Sequence, residues 1–156
     1  MRKTKTLLIV PVLALAAACR HAPPALVAAP APAAAPAGPS LFTRLGGLDA
    51  IRAVAGDLVD RVAADARING FFRGVDLDAL KGKLTEQLCQ VTGGPCRYTG
   101  RPMRQVHADL AIGDADFDAL VSDLAASLDR FQVGAGEQAQ LLRTLGGLRG
   151  EIVTRR

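Results

Sequence analysis

The chain has 156 residues, of which 49% are hydrophobic but only 4% aromatic, so it has room for one domain and a tail and excludes two independent cores. With no Trp, one Tyr and five Phe, the core must be built from Leu, Val, Ile and Ala, a composition that favours helices. The net charge of +4 belongs to the N-terminus, because from residue 40 onward basic and acidic side chains number fifteen each. A neutral domain with one Tyr lacks the basic footprint and stacking aromatics of a nucleic-acid binder, and that class is set aside.

Arg2, Lys3 and Lys5 precede an apolar run from Leu7 to Ala18, broken only by Pro11 and ending in Ala16-Ala17-Ala18-Cys19. The run is shorter than the ~20 apolar residues that span a bilayer, and with its leading cations it predicts an export signal over 1–18. The small residues before Cys19 resemble the lipobox of bacterial lipoproteins, with Ala16 where Leu is usual. Lipidation of Cys19 predicts a cell-envelope lipoprotein facing the periplasm or exterior, touching the membrane only through its lipid anchor. The same residues also suit ordinary signal cleavage, so a soluble periplasmic protein stays open. Residues 19–39 form a tether: nine Ala and six Pro between Arg20 and Pro39 block helix and give an extended spacer, in which His21 reads as a solvated linker residue.

The folded domain is expected over 40–156. Ile51, Val54, Leu58 and Val62 recur at helical spacing. Leu77, Leu80, Leu84, Leu88 and Val91 form a second stripe, with Asp76 as its N-cap. Phe117, Leu120, Val121, Leu124, Leu128 and Phe131 form a third behind Asp114, and Leu141, Leu145, Leu148 and Ile152 a fourth. Glycine clusters at Gly46-Gly47, Gly93-Gly94 and Gly134 with Gly136 punctuate the spaces between them. The class is all-α, with no internal repeat.

One short segment departs from ordinary core patterning. Pro102 suits a helix start, and Met103, Val106, His107 and Leu110 then share one apolar face. His107 is the domain's single His. One imidazole cannot assemble a zinc site alone. It can be the sole protein ligand of a cofactor that brings its other ligands along, as haem does. A satisfied core histidine is the competing reading.

The run Gly93-Gly94-Pro95, then Tyr98-Thr99-Gly100-Arg101-Pro102-Met103, then His107 and Ile112, resembles the proximal-histidine region of group I truncated haemoglobins. Leu41-Phe42-Thr43-Arg44-Leu45-Gly46-Gly47 resembles that family's opening turn, Phe71-Phe72 with Gly74 its link into the distal helix, and Leu80-Lys81-Gly82-Lys83 the start of that helix. The likeness runs from about Ser40 to Val153. It implies a truncated globin, a two-over-two helical sandwich, with non-covalent haem b whose iron is bound by His107. Phe72 would pack on the haem face, Leu80 and Leu84 above it, and Met103, Ile112, Phe117 and Leu120 along the slot. Lys83 matches a position that can reach a haem propionate, and a solvated Lys is the alternative.

Members of that family that hold O₂ tightly carry a Tyr and often a Gln where this chain has Val59 and Leu84. With Leu80 and Leu88, these give an apolar distal pocket. O₂ held there takes on negative charge, and losing a hydrogen bond of ~1.5–3 kcal/mol weakens its retention by roughly ten- to a hundredfold. Gln87 is a substitute donor if it swings inward. Cys89 and Cys96 remain as an even pair in an oxidising compartment, so a disulfide is expected, with free thiols as the alternative. The functional expectation is a haemoglobin that binds a diatomic ligand (O₂, NO or CO), covering oxygen binding or transport, or one that passes electrons to a redox partner. Two alternatives stay open: a haem enzyme acting on NO, nitrite or peroxide, and a haemless structural lipoprotein.

Overall fold

The computed structural model describes residues 38–155. The export signal, Cys19, His21 and nearly all of the tether lie outside the described residues. Seven α-helices follow in chain order: α1 (Leu41–Arg44), α2 (Gly47–Ala64), α3 (Leu77–Val91), α4 (Met103–His107), α5 (Asp114–Arg130), α6 (Ala135–Gly146) and α7 (Arg149–Ile152). A 3₁₀ turn, Asn69–Phe72, links α2 to α3, and no strand occurs among the described residues. Nor is any described helix long and apolar enough to cross a membrane.

Local chemistry sets most boundaries. Ser40 caps α1 by accepting from the Thr43 N–H, and Asp76 caps α3 by accepting from the N–H groups of Asp78 and Ala79, each satisfying donors a helix start leaves free. Gly46 turns α1 into α2 at φ +95°, a left-handed conformation that costs glycine little. The start of α5 is closed by the Asp116 carboxylate, which accepts from the Gly113 N–H at 2.8 Å.

The long helices form two layers. α3 packs on α2, and α5 packs across α2 and against α6. Ile51, Val54, Leu58 and Val62 of α2 meet Leu88 of α3, Leu124 and Leu128 of α5 and Leu141 of α6 in one cluster, all at most 5% exposed. Each such aliphatic side chain contributes about 1.5–3 kcal/mol on burial. A buried carboxylate ties the layers together: Asp57 of α2 accepts from Arg61 Nε at 2.6 Å and from the more exposed Arg130 at the end of α5. Burial pushes the Asp57 carboxyl up, but Arg61, Ser127 and Arg130 together outweigh it and hold the group below the usual carboxylate range.

Three apolar stripes differ from the periodic reading, the shortest because α4 ends at His107 and leaves Leu110 beyond it, 39% exposed. The fourth is not one helix: α6 ends at Gly146, Gly147 caps it, and α7 starts afresh at Arg149. Two adjacent glycines are poor helix formers, and hydrophobic spacing alone does not register that cost. Phe131 is 41% exposed at the C-cap of α5, with the Arg130 guanidinium 5.8 Å from its ring centre. The next residue, Gln132, turns at φ +54° and ends the helical register.

Cys89 and Cys96 are joined by a disulfide, their Cα atoms 5.7 Å apart. The bond ties the last turns of α3 to the loop that leads to α4. A Cβ on Gly94, inside that loop, would fall 2.4 Å from the Phe42 ring and 2.7 Å from Cys89 Sγ, so only glycine fits. Closing a loop of about eight residues removes unfolded-state entropy worth ~2–3 kcal/mol. A Cys89→Ala, Cys96→Ala double variant is expected to lose about that much stability in denaturant titrations. An unchanged midpoint would show that the bond does not form in solution.

Asp123 of α5 carries the opposite electrostatics to Asp57. Its Oδ2 is buried without a hydrogen-bond partner, and Arg67 Nη2 stands 3.7 Å from Oδ1. Burial first, and the neighbouring Asp65 charge second, push its carboxyl up. A group raised in the folded state costs stability above its folded pKa, and the cost disappears as the pH falls through that value toward ~3.9, the unfolded one. Asp123→Asn is therefore expected to raise the Tm at neutral pH and to leave it unchanged near ~pH 4, as thermal melts at the two pH values will show.

Candidate functional site

Several of the residues expected to line the slot lie outside the main core cluster. Val59, Ile112 and Phe117 are buried, at 1%, 8% and 5% exposure, yet do not belong to the contiguous core cluster. Leu80, Met103, Val106 and His107 are half-buried and lie outside it as well. Phe72, Leu84 and Leu120 sit at the boundary, partly buried and packed against the core. The residues predicted for one slot thus come from α2, the 3₁₀ turn, α3, α4, α5 and, with Ile112, the loop between α4 and α5.

Of the residues expected on the distal side, Leu80 and Leu84 are one turn apart on α3, and Val59 comes from the middle of α2. None of these side chains can donate a hydrogen bond. Leu88, two turns beyond Leu80, is 2% exposed and sits in the core, where it lines a partly open apolar pocket of about 150 Å³ with Leu45, Ala50, Ile51, Val54, Leu128, Phe131, Val133 and Leu141. Gln87 is half-buried and has no side-chain hydrogen bond among the described residues. Lys83 donates to both carboxylate oxygens of Glu86, at 3.1 and 3.3 Å, and contacts the Thr99 hydroxyl.

On the proximal side, Pro102 caps α4, a helix of five residues. His107 Nδ1 lies 2.7 Å from the Met103 carbonyl oxygen. A carbonyl only accepts, so Nδ1 carries the proton and Nε2 is left with its lone pair. Nε2 has no hydrogen-bond partner among the described residues. That is the tautomer and second-atom restraint found on metal-binding histidines. The loop before α4 is held along α3: Thr99 donates its N–H and its hydroxyl to Glu86, and the Tyr98 N–H donates to Gln90 at 2.6 Å. The Thr99 N–H most strongly, then its hydroxyl and Lys83, pull the Glu86 carboxyl down. Sequence reading missed this clamp, although Glu86 and Gln90 share a helix face at i, i+4.

The donor set suits a group held by one protein nitrogen, since His107 Nε2 has no partner among the described residues. Residues 40–154 match the bacterial-like globin family model. This chain belongs to the bacterial-like globins, and among them to the truncated globins. It is 36% identical over 115 residues to the group 1 truncated hemoglobin GlbN of Mycolicibacterium paratuberculosis, which covers 74% of this chain and 85% of that protein. The truncated hemoglobin of Tetrahymena pyriformis in its Fe(III) form superposes with a TM-score of 0.72 at 27% identity, covering 74% of this globin and 98% of that chain. The 2/2 hemoglobin of Synechococcus in the cyanomet state, solved with covalently attached heme, gives 0.71 at 28% identity, over 75% and 100% of the two chains. The fold is accordingly the two-over-two helical sandwich, its cofactor is haem with its iron, and the general activity of this globin is the binding of a diatomic gas.

Proposed function

We propose that this globin holds non-covalent haem b through His107 and binds its gas ligand against a distal wall without hydrogen-bond donors, at the cell envelope. One observation carries the reading. The half-buried His107 has its Nδ1–H tied to the Met103 carbonyl, which leaves Nε2 as a fixed lone pair on an apolar surface. Haem iron, when bound, supplies an open position for a diatomic ligand. Val59, Leu80 and Leu84 exclude water from the ligand side and offer no donor to a charged ligand, which favours CO and NO over tight retention of O₂. They also offer no group that moves a proton, which weighs against peroxide or nitrite turnover.

Covalent attachment is not expected, because the sequence has no Cys-x-x-Cys-His and His107 is the single histidine among the described residues. The envelope location rests on the leader and on Cys19, with the Ala/Pro-rich stretch as the spacer. Mass analysis of exported protein tests it: a lipid mass on Cys19 supports the anchor, and an unmodified mature chain supports simple secretion.

The gas-binding reading is tested by absorption spectra of the purified full chain, reduced and oxidised, with and without CO. A Soret band at one haem per chain that shifts on adding CO to the reduced protein is expected. Purified chain that neither carries nor takes up haem overturns the reading.

A further inference from the structure

We infer that the C-terminal segment from Arg149 to Arg155 positions His107, with Arg149 as its principal positioning residue. The inference rests on His107 being the iron's ligand.

α4 has five residues, too few to be stable alone. The chain leaving it, from Ala108 to Gly113, makes little structure of its own. The Leu110 N–H reaches back to the His107 carbonyl at 3.2 Å, and Ala111 turns at φ +50°, a strained value for a residue with a Cβ. The restraint comes from residues some forty positions later. The Ile112 carbonyl accepts from the N–H groups of both Thr154 and Arg155, each at 2.9 Å. Arg155 donates to Asp116 Oδ2 at 3.1 Å, the same oxygen that accepts from the Gly113 N–H. The Arg155 guanidinium lies so close that a Cβ on Gly113 would fall 2.8 Å from it.

α7 packs directly against α4, and Arg149 fixes α7 in place. Its guanidinium donates to the carboxylates of Asp114 and Asp118, one turn apart on α5. It also stands 4.6 Å from the ring centre of Phe117, which is 5% exposed and belongs to the proposed slot. A planar, forked cation makes both carboxylate contacts and the stacking contact at once, which an ammonium cannot. The C-terminal segment thus closes on α4 and on the His107–α5 connection, while the clamped loop holds α4 from its other end. An imidazole on so short a helix keeps its angle to a ligand plane only as well as these restraints allow. Supports of this outer kind are worth about ten- to a hundredfold in affinity or activity at metal-binding histidines.

The test uses the full haem-loaded chain and four variants. Arg149→Met removes the charge and keeps the stem, Arg149→Lys keeps the charge without the fork, and a chain ending at Val153 removes the contacts to Ile112 and Asp116. Arg52→Met, which breaks an exposed pair with Asp49 on α2, serves as control. The readouts are the iron–histidine stretching band of the reduced, ligand-free protein by resonance Raman and the rate of haem loss to an acceptor. Arg149→Met and the shortened chain are expected to shift or broaden the band and to release haem about tenfold faster. Arg149→Lys should fall between them and the parent, and Arg52→Met should match the parent. A band unchanged in position and width in both Arg149→Met and the shortened chain, even with a lowered Tm, reduces the segment to a structural role and overturns the inference. If Arg149→Met does not fold, the shortened chain decides alone. Absence of the band from the parent overturns the assignment of His107 instead.

Discussion

His107→Ala is expected to keep the helical fold and to lose haem. The side chain is half-buried and its one hydrogen bond, to the Met103 carbonyl, lies within its own short helix. Removing it costs the apo fold on the order of 1 kcal/mol, so circular dichroism of the variant should match the parent. Haem binding should change far more, because Val59, Leu80, Leu84, Met103, Ile112 and Phe117 offer packing but no nitrogen. Met103, whose thioether can bind iron, is the sole other donor in that set, and its backbone carbonyl belongs to the same turn. His107→Gly with added imidazole provides the complementary measurement, since a free imidazole fills the space left and should restore the iron spectrum. Stoichiometric haem with an unchanged iron spectrum in His107→Ala would remove His107 as the ligand.

Val59→Tyr is expected to slow O₂ dissociation by roughly tenfold or more, the worth of one charge-assisted hydrogen bond, and to change CO dissociation much less. Val59 is 1% exposed and stands outside the main core cluster, and the resemblance to truncated haemoglobins puts a phenol there on the ligand side. Overpacking a buried site costs about 1–3 kcal/mol. Leu84→Gln on the half-buried face of α3 is therefore the partner variant, which supplies a donor without that penalty. Comparing O₂ with CO inside each variant cancels differences in haem affinity. If the parent already releases O₂ slowly and Gln87→Leu speeds the release, the distal wall is polar. Gln87 then supplies the donor, and O₂-dependent NO chemistry regains its place.

Much of the fold was legible before the structure. The apolar spacing of Ile51, Val54, Leu58 and Val62, the Asp76 cap and the glycine turns are all local, because residues three and four apart share a helix face whatever the rest of the chain does. For the same reason His107 could be placed beside Met103, one turn before it, from spacing alone, whereas the expectation that Val59, Leu80 and Leu84 form the opposite wall came from the resemblance to truncated haemoglobins and not from periodicity. The tertiary structure decided what depends on how helices cross. Asp57 meets Arg130 seventy-three positions away, and Asp123 is left with an unpaired oxygen beside Asp65. Arg149 and Arg155 close on the segment behind His107. Phe131, placed by periodicity in the core, sits instead at a turn. Hydrophobic spacing records which face of a helix is buried, but not the angle and offset at which two helices meet, and those angles choose every partner more than a few turns away.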